Sequence, residues 1–172
     1  SIIKSIDIMI SKGQIQLAKE TLEKYKNIIK SDDIFASKQA QILFYLNDWE
    51  QLNEKNKVYL KKNTKENPYY NDILKITSNI MLFNEDIYSL EQYSESLMKL
   101  FQNKRIESLD IMNSLRNHSN IEIAGKMNYE YAYIQLSQGD IDKALEIIDD
   151  VNEESAYIES ATLLKAEIYD YI

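Results

Sequence analysis

The hydrophobic positions of the chain recur at helical spacing. Ile141, Ala144, Leu145, Ile148 and Val151 fall three or four residues apart, which gathers them on one face of a helix. Leu163, Leu164, Ile168 and Tyr169 give a second such face near the C-terminal end. In the middle of the chain, Pro68 opens a helix predicted over about 70–83, and Asn84-Glu85-Asp86 makes a turn. A further helix is predicted over 87–102, Asn103 marks a second turn, and residues 117–120, around His118, read as a loop.

Small and apolar residues repeat on a fixed grid around the turns. Gly139 has Ala132 seven positions before it and Ala144 five after it. At the same offsets Gly13 has Ile6 and Ala18, Asn47 has Ala40 and Leu52, and Asn103 has Ser96 and Ser108. Gly13 and Asn47 are 34 positions apart, as are Ala132 and Ala166. Small side chains at these places let two antiparallel helix axes approach to within about 8–10 Å. Each pair then keeps an apolar face that only a neighbouring pair can cover. Asp48, Asp86 and Asp140 stand where the second helix of a pair begins, where a carboxylate can accept orphan N–H groups and oppose the helix dipole. The turns at 84–86 and 103 are too close to join the helices of consecutive full repeats. Residues 68–119 are therefore expected to be irregular: one helix is unpaired, or the array bends there.

With this 34-residue helix-turn-helix period, the chain resembles the tetratricopeptide-repeat (TPR) family. The unit carried by Ala132, Gly139, Asp140, Ala144 and Ile148 matches the family pattern best. Gly13, Ala18 and Leu22 support a first unit, and Ala40, Asn47, Asp48 and Trp49 a second. The resemblance implies an all-α, right-handed superhelix (solenoid) of antiparallel helix pairs, about ten helices in all. It implies a single array over 1–172, regular near 1–67 and 120–172. It also implies a concave groove lined by the first helix of each pair. The groove positions are Ser37, Gln41, Phe44 and Tyr45, then Tyr129, Glu130 and Tyr133, then Glu167 and Asp170. Trp49 is expected to pack between second helices. Family members that clamp acidic C-terminal tails use Lys, Asn and Arg in the groove. The corresponding positions here hold Ile3, Asp7, Ser37, Gln41, Tyr129 and Tyr133, so an acidic tail is disfavoured as a ligand.

Composition sharpens this picture. Three glycines and one proline leave strand-and-turn architectures without their turn residues. Thirteen tyrosines offer rigid contact area with a hydrogen-bonding tip. The net charge of −8 is uneven: residues 1–86 hold 13 Lys/Arg against 12 Asp/Glu, and residues 87–172 hold 7 against 16. Such a C-terminal half repels nucleic-acid phosphates and anionic lipid, and suits a partner protein or peptide with basic and apolar side chains.

The chemistry available is limited. The absence of cysteine excludes disulfides and thiolate metal sites. A single histidine cannot build a multi-imidazole centre. The acidic run Asp149, Asp150, Glu153 and Glu154 lacks the glycine and alternating ligands of a calcium loop and is expected to be solvated. No glycine-rich phosphate loop or nucleophile elbow is present. No catalysis, cofactor or metal is therefore expected. No apolar run approaches the ~20 residues that span a bilayer, so the expectation is a soluble chain of the cytosol or the cell envelope, without membrane insertion. The start at Ser1 without Met, and the end inside a helical pattern, suggest a piece of a longer chain.

The expected function is a non-catalytic scaffold or adaptor that holds a peptide or partner protein in its groove. The alternatives are a peptide-sensing domain of a larger regulator, or a structural subunit of a cell-envelope or secretion assembly that self-associates through its last helix.

Overall fold

A computed structural model describes residues 1–64 and 66–171, without the side chain of Tyr171. Among these residues the regular structure is entirely helical. The helices are α1 (Ile2–Ser11), α2 (Ile15–Lys24), α3 (Asp32–Tyr45), α4 (Trp49–Lys62), α5 (Pro68–Leu82), α6 (Ile87–Phe101), α7 (Arg105–Leu115), α8 (Ile121–Ser137), α9 (Ile141–Ile148) and α10 (Ile158–Tyr171), with a 3-10 turn at Lys26–Ile28. Their starts follow local chemistry. The carboxylates of Asp48, Asp86 and Asp140 accept from the backbone N–H of Gln51, Ser89 and Lys143, each supplying a partner to an otherwise orphaned donor. Pro68 occupies the first turn of α5 behind the Asn67 cap, where its missing N–H costs nothing.

Four of the interhelical connections are the same turn. Gly13, Asn47, Asn103 and Gly139 have φ of +75°, +56°, +60° and +82°. In each, that residue's N–H donates to the carbonyl three residues back, and the next N–H donates to the carbonyl five back. Gly13 thus donates to Ile10 and Gln14 to Met9, while Asn103 donates to Leu100 and Lys104 to Lys99, all four at 2.9 Å. This is the Schellman closure, which satisfies the last carbonyls of the first helix and demands a left-handed residue that only Gly or Asn adopts cheaply.

The grid around these turns is buried throughout. Ile6, Ala40, Ser96 and Ala132, seven positions before, and Ala18, Leu52, Ser108 and Ala144, five after, are all 2 % exposed or less. The Asn103 turn therefore belongs with the other three, with serines in the small-residue places. The 84–86 connection is of another kind: no residue in it has a positive φ, and Asp86 N–H donates to the Phe83 carbonyl at 2.9 Å.

The described residues divide into two compact units, Ser1–Ser108 and Leu109–Ile172. In the first unit α1 packs with α2 and α3 with α4, while α2 rests on α3 and α5 rests on both α3 and α4. The expected unpaired helix is thus not α5. The departure from regularity is α6, which lies against α1 and α3. Its small residues permit the close approach: Ser94 Oγ donates to the Phe44 carbonyl at 2.7 Å, and Ser96 Oγ turns back to its own Tyr93 carbonyl at 2.7 Å. Met98 of α6 packs against the cluster of Ile6, Ile10, Ile15, Ala18, Leu22 and Ile42. Tyr93 stacks on Phe83, with centroids 5.2 Å apart.

In the second unit α8 and α9 form a hairpin on which α10 packs. Its core joins Ala132, Ala144, Ile147, Ile148, Val151, Ala161, Leu164 and Ile168. The predicted face of α9 holds: Ala144, Ile148 and Val151 are buried, and Ile141 and Leu145 are half-buried and pack against them, with Ile147 as a further buried residue. Two expectations are corrected here. Ala166 is exposed and Ala161 is the buried alanine of α10, since among the described residues nothing packs on the Ala166 side. In the first unit, Trp49 packs edge-on against Phe44 of its own hairpin, with centroids 5.4 Å apart, rather than between second helices.

Ala144 is fully buried where α8 and α9 pack together. Ala144→Phe should overpack this crossing and destabilise the protein by about 1–3 kcal/mol. Urea unfolding measures the effect, and an unchanged midpoint contradicts the crossing.

Candidate functional site

The expected groove residues fall into two very different settings. On α3, Phe44 is a core residue, 2 % exposed and edge-on to both Trp49 and Tyr93. Tyr45 packs against Phe44 and Phe101, and burial pushes its phenol pKa up, with a hydrogen bond from Gln41 opposing. Gln41 Oε1 accepts from Lys38 Nζ, which also reaches Asp7, both at 2.7 Å. Ser37 is half-buried. The reason is α6: packed on α1 and α3, it takes the surface that an open groove would offer. Phe44 is therefore a structural residue, not a groove contact.

On the second unit the expected residues come together at a surface. Tyr129, Glu130 and Tyr133 lie on α8, and Glu167 and Asp170 on α10. Burial raises the pKa of the Tyr129 phenol, and the nearby charges of Tyr133, Glu167 and Glu130 raise it further. Tyr133 is exposed, as are Glu167 and Asp170, one turn apart. Helix packing fixes this geometry, because α8 and α10 share the core described above.

Sequence reasoning missed the foundation of this face. Lys126 is only 4 % exposed; its ammonium lies 2.8 Å from Glu130 Oε1 and 5.6 Å from the Tyr157 ring centroid. A buried ammonium is tolerable only with such partners. Tyr157 in turn lies 6.4 Å from Tyr129, and its phenol pKa is raised by burial and by Glu130 and Glu122. The segment leading into α10 is clamped on α8: Glu122 accepts from Ser155 Oγ at 3.1 Å and from the Ala156 N–H at 3.0 Å. Gly125 permits this approach, since a β-carbon there would lie 2.2 Å from Ser155 Oγ. The one signal in the sequence was a glycine in the middle of a helix, where it is otherwise costly.

In the acidic run after α9, Asp150 pairs with Arg116 at 2.6 Å and Asp149 with Lys165 at 2.5 Å, while all four carboxylates stay exposed to solvent, as expected. His118 Nδ1 accepts from the Asn120 N–H at 2.9 Å within the 117–120 loop. Among the described residues, no group of three His, Cys, Asp or Glu side chains is placed to hold a metal. The α8–α10 face thus presents aromatic area from Tyr129 and Tyr133 beside the exposed carboxylates of Glu167 and Asp170.

Two outcomes follow from this geometry. Gly125→Ala should destabilise by about 1–3 kcal/mol, the clash outweighing the better helix propensity of alanine, and adding Ser155→Gly should restore most of the loss. A single Gly125→Ala variant that unfolds at higher urea than the parent contradicts the clamp. The phenols of Tyr129 and Tyr157 are held protonated above their ordinary value of 10.0. Their stabilisation is complete below that pH and is lost as pH rises past it, because the unfolded chain then releases protons that the folded chain keeps. Urea titrations on either side of that value should show the fall, and Tyr157→Phe should make it shallower.

Searches against protein-family models, characterised proteins and solved structures find no match to this chain.

Proposed function

We propose that the chain is a non-catalytic, TPR-like protein-interaction module, built as a right-handed stack of antiparallel helix pairs, that holds a peptide segment of a partner protein on the α8–α10 face. The observation that carries this reading is the gathering of Tyr129, Tyr133, Glu130 and Glu167 on one face of a rigid helical support. A rigid, preformed surface loses little conformational entropy on binding. Tyrosine offers large contact area for few ordered rotors. The repeated Schellman turn with its buried grid supports the repeat reading independently of the groove.

The surplus of carboxylates selects a partner with basic side chains and disfavours nucleic acid and anionic lipid. The open groove expected on α3 is not part of the proposal, since α6 covers that surface.

The test uses the chain as bait in an extract of its source cell, beside a Tyr129→Ala/Tyr133→Ala double variant used below its own unfolding temperature, with circular dichroism showing that it keeps the parent's helix content. The proposal predicts a partner captured by the parent and lost, at least tenfold (about 1.4 kcal/mol), by the variant. Identical capture by both baits contradicts the proposed face. Self-association of the chain alone, detected by light scattering and abolished by Leu163→Ser, would assign the exposed side of α10 to an assembly role instead.

A further inference from the structure

We propose that the cleft at the Gly139 end of the second unit is an anchor pocket for one basic side chain, lysine or arginine, of the bound peptide; this rests on the peptide-binding reading above and supplies its chemistry. The cleft has a volume of about 510 Å³ and is lined by Leu136, Ser137, Gly139, Ile141, Glu167 and Ile168. Its walls are mainly apolar, and among the described residues that line it Glu167 is the one with a charged side chain. It is open at Gly139, where an added β-carbon would meet nothing within 4 Å.

The local charge has no internal counterpart. Residues 109–172 contain four Lys/Arg and thirteen Asp/Glu. All four cations are already engaged: Arg116 with Asp150, Lys126 with Glu130, Lys143 with Glu146 and Lys165 with Asp149, at 2.6, 2.8, 2.9 and 2.5 Å. Among the described residues no cation pairs with Glu167. The cleft also abuts the end of α8, where the helix dipole is negative.

An aliphatic stem ending in a cation meets both features at once. The methylenes of lysine or arginine lie along Leu136, Ile141 and Ile168, and the head reaches Glu167 at the mouth. A leucine would fill the apolar part and leave the carboxylate without a counter-charge. A glutamate would oppose it.

The test is amide chemical-shift titration of the full chain with blocked pentapeptides carrying a single central lysine, arginine, norleucine or glutamate between glycines, and with free spermidine. Lysine and arginine should produce saturable shifts at Gly139, Ile141 and Ile168. Norleucine should bind about two- to fivefold more weakly, the range set by one exposed ion pair, and glutamate should give no saturable shift. Glu167→Gln should bring lysine down to norleucine. Equal binding of lysine and norleucine, indifference to Glu167→Gln, or no saturable shift with any peptide overturns the proposal. Saturation by spermidine without saturation by the lysine peptide also overturns it, in favour of a free polyamine. Tyr129→Ala/Tyr133→Ala should leave these shifts in place, so failure of the tyrosine face and failure of this pocket read separately.

Discussion

The structure depends on a left-handed residue placed at the end of one helix so that the next can fold back against it. At Gly13, Asn47, Asn103 and Gly139 the chain reverses by the same pair of hydrogen bonds. That reversal fixes which residues meet. Seven before and five after the turn, side chains are pressed out of contact with water, and at every turn at least one of the two is an alanine or serine. A bulky residue at those places would hold the axes apart and uncover the apolar faces that supply most of the stabilisation. Glycine meets the backbone requirement without strain, and asparagine meets it at a modest cost.

The same constraint explains why the two units offer such different surfaces. In the first, α6 carries Ser94 and Ser96 where larger side chains would keep it away, and it packs on α1 and α3 with Tyr93 and Met98. The positions expected to face a ligand there, Phe44 and Tyr45 above all, are consumed in holding the chain's own helix. Among the described residues of the second unit, no such helix is drawn over α8 and α10. Tyr133, Glu167 and Asp170 stay exposed, and the buried Lys126, sandwiched between Glu130 and Tyr157, keeps the face rigid from below. An acidic, tyrosine-lined surface on a fixed support is the basis of the proposed recognition role.

Local features of the fold were legible in the sequence, and non-local ones were not. Helix type, the caps at Asp48, Asp86 and Asp140, and the turns at Gly13, Asn47 and Gly139 follow from short-range chemistry. The start of α5 at Pro68 and its end at Leu82 lie within two residues of the predicted 70–83. The Asn103 turn carried the right signal in Ser96 and Ser108, yet its closeness to 84–86 made the two turns seem rivals. The structure resolves this with one Schellman turn and one of another kind. The path of α6 depends on contacts between residues some fifty positions apart, such as Ser94 with Phe44, which no periodicity records. The burial of Lys126 and the ties of Asp149 and Asp150 were likewise invisible, because a charged residue in a sequence carries no mark of its partner. Gly125 alone announced a close approach, without saying to what.

The absence of cysteine makes the central claim directly measurable, since a single introduced thiol can be followed without background. Ser96→Cys, Ser108→Cys and Ala166→Cys variants, labelled with an aromatic disulfide reagent under native conditions, compare two grid positions with an exposed alanine of α10. The account predicts that the thiols at 96 and 108 react only as fast as the protein unfolds, while the thiol at 166 reacts at once. Labelling at 96 and 108 as fast as at 166 would mean that the Asn103 turn does not carry the buried grid, and the shared geometry of the four turns would fail with it.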